Sequence, residues 1–195
     1  MDMSQSYIPA AKEYLPGVDI VFDRFHVTAL MNRALDEVRR IQCRKAQDTV
    51  TKHVIKGQRF LLLRNYATLS PEQSEQVNTL FKVNIPLFQA HAFKEQLRLF
   101  WALDGPAQAL QFLSHWIDGV RQTKLAPLVK VANTLENYLM ELVNYYKHNR
   151  ISNGMAEGIN NKIKTLKRQS YGFRDMEYFK LRLYHLHAQK DQLCG

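Results

Sequence analysis

The chain has 195 residues and an excess of positive charge. It contains 27 Lys or Arg against 18 Asp or Glu, a formal net charge of +9 that favours an anionic partner. Apolar residues make up 46%, enough for a folded core, yet no apolar run approaches the roughly 20 residues that span a bilayer. Cys43 and Cys194 form no CxxC pair, which argues against a zinc ribbon and a disulfide framework. We therefore expect a soluble, cytoplasmic chain without a signal peptide.

The first quarter of the sequence predicts a helix, a strand and a second helix. Tyr7, Ala10 and Tyr14 recur at helical spacing, which predicts a short helix over residues 4–15 that Pro16 and Gly17 end. Residues 18–22, VDIVF, are β-branched or aromatic and form the best strand candidate in the chain. Helical periodicity then runs over residues 27–54.

The middle of the sequence is predicted to be helical throughout. Ser70, followed by Pro71 and by Gln73 three residues on, is typical of a capped helix start. Long amphipathic stretches follow over residues 85–103, 107–121 and 125–148. The aromatic residues of this region fall at core-like spacings, which favours packing over base stacking. They are Phe88, Phe93, Phe100, Trp101, Phe112, Trp116, Tyr138, Tyr145 and Tyr146.

The most informative stretch begins near Arg150. Asn153 is a plausible N-cap for a helix running to about Gln169, and Asp175 can start a final helix. The first of these helices places Ile159, Ile163 and Leu166 on one side and polar residues on the other. Polar neighbours surround Glu157 in its first turn.

Residues 147–182 carry nine Lys or Arg against three acids, Glu157, Asp175 and Glu177. A lone carboxylate within a phosphate-attracting surface points to a metal-binding acid beside a nucleic-acid backbone. The alternative is a solvated basic helix with one surface Glu, and the charge pattern leaves both open.

The strand candidate has no partner in the sequence, although a strand must pair. Either the protein is all-α and residues 18–22 are misread, or the rest of the sheet lies outside the chain.

Three segments together carry a family resemblance: MDMSQSYIPAAKEYLPG, VDIVFDRFHVTALMNRALDEVRR and RISNGMAEGINNKIKTLKRQSYGFRDMEYFKLRLYHLH. They resemble the C-terminal part of the bacterial insertion-sequence transposases of the ISL type, which are DDE enzymes. The resemblance covers essentially the whole chain. It implies an α/β RNase H-like catalytic core, here incomplete because its N-terminal strands are missing, with a large all-α insertion. The chain itself is then predominantly α-helical.

The resemblance also implies a domain division and a set of site residues. Residues 1–26 match part of the RNase H-like core, 27–150 the helical insertion and 151–195 the C-terminal helices of the core. Asp2 and Glu157 match catalytic, metal-binding carboxylates for Mg²⁺ or Mn²⁺. Asp23 and His26 match an Asp-x-x-His motif that supports the site. On residue types alone, that pair could ligate a metal or be an ordinary strand-end Asp and a half-buried His.

The implied partner is DNA, both the insertion-sequence ends and the target. The resemblance also implies that the complete protein forms a homo-oligomer. The cations implied to contact DNA phosphates are Lys162, Lys164, Lys167, Arg168 and Arg174. Nothing in the chain matches the family's first catalytic Asp or its N-terminal DNA-recognition regions, so we expect an N-terminally truncated copy. The alternatives are a catalytically dead DNA-binding fragment that interferes with full-length transposase, and a remnant that does not fold.

Overall fold

The computed structural model describes residue 3, residues 7–148, residue 150 and residues 154–188. The chain divides into two compact units, Met1–Ile151 (unit 1) and Ser152–Gly195 (unit 2). The residues that the structure describes form helices and no strands, so the expected predominance of α-helix is confirmed.

Unit 1 is a succession of short and medium α-helices. They are α1 (Tyr7–Tyr14), α2 (Arg24–Lys45), α3 (Thr49–Gly57), α4 (Arg59–Leu63), α5 (Pro71–Val83), α6 (Ile85–Leu99), α7 (Pro106–Gln122), α8 (Ala126–Asn137) and α9 (Leu139–Lys147). Two 3₁₀ turns, Tyr66–Thr68 and Phe100–Ala102, follow α4 and α6.

Side-chain caps fix several of the helix starts. Ser70 and Gln73 form the predicted reciprocal capping box at the start of α5. The Asp48 carboxylate accepts a hydrogen bond from the Thr51 N–H at 2.7 Å and begins α3 in the same way. Such caps satisfy N–H groups that have no partner inside the helix, which is why they mark helix starts in sequence.

Two stretches predicted as continuous helices are each broken once. Residues 27–54 divide into α2 and α3 around residues 46–48, where Asp48 caps the second helix. Residues 125–148 divide into α8 and α9 at Tyr138, whose backbone lies outside the helical region. Apolar periodicity continues across both breaks, so it does not reveal them.

The core of unit 1 lies where α2 packs against α6 and α8 and where α7 packs against α8 and α9. Fully buried leucines from these helices fill it, namely Leu35, Leu87, Leu113, Leu128 and Leu135. Of the aromatic residues predicted to pack, Phe100, Trp116 and Tyr145 are buried, whereas Phe88 is 51% exposed. Packing is therefore confirmed as the main role of these rings, with Phe88 the exception.

Residues 18–22, the strand candidate, are not paired as a strand within the described residues. This segment forms neither helix nor strand, and no other described residue offers it a strand to pair with. Ile20 and Phe22 are nevertheless buried, because the segment lies against unit 1's own helices. The Asn144 side-chain amide donates to the Ile20 carbonyl at 3.2 Å, and the Phe22 ring meets the Tyr138 ring edge-on at 5.3 Å.

A buried cation closes the end of α4. The Lys94 ammonium, on α6, donates to the Leu62 carbonyl at 2.8 Å and to the Arg64 carbonyl at 2.5 Å. It also lies 2.7 Å from the Glu95 carboxylate. These contacts satisfy carbonyls that the short helix leaves unpaired, and they place a positive charge at the negative end of its dipole.

Unit 2 contains two further helices, α10 (Gly154–Gln169) and α11 (Met176–Ala188). None of the helices that the structure describes is both long and apolar enough to cross a membrane.

Candidate nucleic-acid interface and metal ligands

The turn between α10 and α11 is built from local hydrogen bonds. At the end of α10 the Gly172 N–H donates to the Lys167 carbonyl at 3.0 Å, and the Tyr171 N–H donates to the Arg168 carbonyl at 3.1 Å. Both Tyr171 (φ 50°) and Gly172 (φ 100°) are left-handed there, which reverses the chain. The Asp175 carboxylate then accepts from two backbone N–H groups and begins α11, as the sequence predicted.

A small apolar contact accompanies this turn. Leu166 on α10 and Phe179 on α11 are buried, and the Phe173 ring lies 4.8 Å from the Phe179 ring. Ile159 and Ile163 are half-buried on the same side of α10 as Leu166. The predicted apolar face of this helix is therefore confirmed.

The five cations predicted to bind DNA are all exposed. Three lie along α10 (Lys162, Lys164 and Lys167), Arg168 follows in the same last turn, and Arg174 lies just before α11. The Lys167 ammonium is 5.4 Å from the centre of the Phe179 ring, a cation–π contact that leaves the charge at the surface. The exposed side of α10 is thus basic and open to an anionic partner.

The two predicted catalytic carboxylates fall at or beyond the limits of what the structure describes. Asp2 lies outside the described residues. Glu157 lies in the first turn of α10, and its side chain is not among those described. In the part of the chain that is described, no three His, Cys, Asp or Glu side chains form a group that could hold a metal ion.

Asp23 and His26, predicted to support the site, lie at the start of α2 and not at the end of a strand. The Asp23 carboxylate caps that helix by accepting a hydrogen bond from the Phe25 N–H at 3.0 Å. The half-buried His26 ring meets the Phe25 ring edge-on at 5.7 Å. The structure therefore gives Asp23 a local structural role.

A second charged group, which the sequence reading passed over, lies on α2 and α4. We refer to Asp36, Arg39, Arg40 and Arg59 as the arginine cluster. The Asp36 carboxylate is buried and accepts hydrogen bonds from the Nε atoms of Arg39 and Arg40 at 2.9 Å and of Arg59 at 3.2 Å. Burial raises the pKa of Asp36, but the hydrogen bonds and charges of Arg39 and Arg40 outweigh it and hold the pKa below its ordinary value. The i,i+3 and i,i+4 spacing within α2 was a readable sign of this group.

The family model for DDE transposases of the ISL3 type, described as "Transposase", matches residues 1–183. The chain belongs to this transposase family. It is 35% identical over 185 residues to a transposase for insertion sequence element IS1001 from Bordetella parapertussis. It is also 28% identical over 120 residues to transposases for insertion sequence element IS1557 from two Mycobacterium tuberculosis strains.

These matches cover 94% of the chain for the first relative and 62% for the others. They cover only 45% and 27% of the relatives themselves, so the chain spans less than half the length of the curated transposases that it matches. No solved structure matches the chain.

Proposed function

We propose that this chain is the catalytic portion of a DDE transposase, which cleaves insertion-sequence DNA and transfers its strands with the help of divalent metal ions. The observation that carries the proposal is the family match over residues 1–183, which includes both candidate carboxylates. The exposed cations of α10, the helix that contains Glu157, add support because they suit a DNA backbone.

In this proposal Asp2 and Glu157 hold the metal within an RNase H-like core. Carboxylates are the protein ligands that Mg²⁺ prefers, so the donor set fits this ion or Mn²⁺ in its chemistry. A bound metal pair would activate the attacking oxygen and stabilise the leaving one. The chain's own part is to supply carboxylate oxygens and to hold DNA phosphates against α10. Asp23 and His26 are proposed as supporting residues beside the site, and a complete protein is proposed to act as a homo-oligomer.

Because the chain matches only two of the family's catalytic carboxylates, the experiment uses it joined to a family N-terminal part that supplies the first catalytic Asp. This complete protein is incubated with plasmid DNA carrying the element's ends, with Mg²⁺ or Mn²⁺ and with EDTA. We expect metal-dependent cleavage that Glu157→Gln abolishes, because the amide loses the charge that binds the metal. Glu177→Gln is the matched control, since it removes an exposed carboxylate from α11 that pairs with Lys180. Cleavage that persists in Glu157→Gln would remove Glu157 from the site.

A second candidate function is DNA binding without cleavage, by a fragment that interferes with full-length transposase. The observation that favours it is the exposure of all five candidate DNA-binding cations, since phosphate binding by these side chains needs no metal. It predicts salt-sensitive binding of duplex DNA with no metal-dependent nicking. Binding that ignores salt would count against it.

A further inference from the structure

A second excess of positive charge lies within unit 1, over residues 24–64. Residues 24–64 contain ten Lys or Arg and three Asp or Glu, a net charge of +7 out of +9 for the whole chain. All but one of these ten cations are exposed: Arg24, Arg33, Arg40, Arg44, Lys45, Lys52, Lys56, Arg59 and Arg64. A segment with this excess of exposed cations attracts polyanions, and at physiological salt the attraction acts over roughly 8 Å.

Within this segment, the Asp36 carboxylate of the arginine cluster holds three of the ten cations in place. One carboxylate, Asp36, faces three guanidinium groups, so the cluster keeps a charge of about +2 after pairing. Arg39 is buried with Asp36, whereas the side chains of Arg40 and Arg59 are 58% and 46% exposed. The uncompensated charge therefore lies on the two arginines that reach solvent.

These two arginines retain donors for a further acceptor. Arg40 contacts Asp36 through Nε and one terminal nitrogen, at 2.9 and 2.7 Å. Arg59 contacts it through Nε at 3.2 Å. A guanidinium has five N–H groups, and within the described residues the remaining ones of Arg40 and Arg59 make no hydrogen bond or ion pair.

An exposed aromatic ring also holds Arg59. The Phe60 side chain is 70% exposed, and its ring centre lies 5.3 Å from the guanidinium carbon of Arg59. Arg59 is thus held by a carboxylate on α2 and by its neighbour's ring. A guanidinium positioned in this way loses less conformational freedom when it binds a phosphate than a free lysine would.

We propose that the arginine cluster and the exposed cations beside it form a second DNA-backbone-binding surface, in which Arg40 and Arg59 contact phosphates. The proposal rests on the proposed function to the extent that DNA is the partner. It assigns a DNA contact to helices expected only to be an insertion. If the cluster served only to join α2 to α4, the single Arg59–Asp36 contact would be enough, and Arg40, on the same helix as Asp36, would add nothing to that joint.

The test measures the affinity of the full chain for a short duplex between about 50 and 200 mM salt, where each phosphate contact contributes about 0.9 to the slope of log K against log salt. We expect the double substitution Arg40→Gln and Arg59→Gln to lower the magnitude of that slope by roughly 2. The matched control is Lys82→Gln with Lys130→Gln, which removes two exposed cations from α5 and α8. The control should leave the slope unchanged.

A third variant guards against misfolding, since the double substitution removes two partners of a buried carboxylate. Arg44 lies one turn beyond Arg40 on α2, is exposed and does not touch Asp36. Arg44→Gln should lower the slope by about 1 without altering the far-UV circular dichroism spectrum.

The outcomes separate this proposal from the proposed function, in which the α10 cations bind DNA. If the unaltered chain binds no duplex at low salt, both proposals fail. A triple variant of α10, with Lys164→Gln, Lys167→Gln and Arg168→Gln, tests the broader proposal. Suppose that the chain binds, that this triple variant has a smaller salt slope, and that the variants of the arginine cluster and of Arg44 match the control. DNA binding by α10 then stands and the second surface is overturned.

Discussion

At the residue scale, Lys124 shows how one backbone angle can affect stability. It follows α7 in the left-handed region with φ 55°, where its N–H donates to the Arg121 carbonyl at 3.2 Å. A residue with a Cβ is disfavoured there by about 1–2 kcal/mol, whereas glycine is not. Glycine would relieve this strain, but it also raises the conformational entropy of the unfolded chain, which lowers stability by about 0.4–1 kcal/mol.

We therefore expect Lys124→Gly to raise the free energy of unfolding by about 0.5–1 kcal/mol, measured by urea denaturation. The matched control is Lys130→Gly, an exposed lysine inside α8, which should lower stability by about 1 kcal/mol. Equal losses in both variants would show that Lys124 is not strained.

His91, also considered as a single residue, makes stability depend on pH. It is buried on α6 between the rings of Tyr66 and Phe81, and its Nε2 has no hydrogen-bond partner within the described residues. Burial, together with the nearby Lys94 charge, lowers the pKa of His91 from 6.5 to about 4, and Glu95 only partly opposes this. Between these two pH values the unfolded chain binds a proton that the folded chain does not.

Stability should therefore be intact above pH 6.5 and fall as the pH drops towards 4. Between pH 7.5 and 4.5 the contribution of His91 is a loss of about 2–3 kcal/mol. His91→Leu should reduce the pH dependence of urea unfolding by this amount, while His53→Gln, at an exposed position, should leave it unchanged. Unaltered pH dependence in His91→Leu would mean that this imidazole is not protected from protonation.

At the scale of a helix, the start of α5 depends on Ser70. Its hydroxyl oxygen accepts a hydrogen bond from the Gln73 N–H at 3.3 Å, and the Gln73 side chain accepts one from the Ser70 N–H at 3.1 Å. Ser70→Ala should therefore lower the free energy of unfolding by about 1 kcal/mol, seen as a lower urea midpoint. Ser74→Ala, inside the same helix, should be neutral or slightly stabilising, because alanine is the better helix former. The opposite order would exclude the cap as a source of stability.

Features of this fold that depend on contacts between near neighbours in sequence could be predicted, whereas those that depend on distant residues could not. The starts of α5 and α11 were predictable because Ser70 and Asp175 bond to N–H groups two or three residues away. The break at Tyr138 was not, because apolar periodicity continues across it. Arg59 meets Asp36 across 23 residues, and no local pattern encodes that contact.

The candidate site likewise has features that the sequence pattern predicts and features that it does not. Exposure of Lys164 and Arg168 follows from helical periodicity, since Leu166 and its apolar neighbours lie on the opposite face of α10. The roles of Asp2 and Glu157 came from family resemblance alone, because nothing in a lone carboxylate reveals a metal contact that is made across the fold.

At the scale of the whole molecule, the N-terminal segment is part of the core of unit 1. Residues 18–22 have the composition of a strand, but the described residues offer no strand to pair with. Burial of Ile20 and Phe22 against the helices stabilises the segment instead, and the Asn144 amide satisfies the Ile20 carbonyl. Apolar contact and this hydrogen bond join residues 18–22 to α9 and to Tyr138, which precedes it.

Phe22 should therefore contribute far more to the free energy of unfolding than Phe25, three residues further along. Its ring is 1% exposed and meets Tyr138, 116 positions further along the chain, whereas Phe25 is 68% exposed. We expect Phe22→Ala to lower the free energy of unfolding by about 3–5 kcal/mol, through lost burial and the cavity left behind, and Phe25→Ala by less than about 0.5 kcal/mol. Urea denaturation followed by circular dichroism measures both. Equal and small losses would mean that residues 18–22 are not anchored to the helices, because a buried ring at a long-range contact cannot be removed without cost.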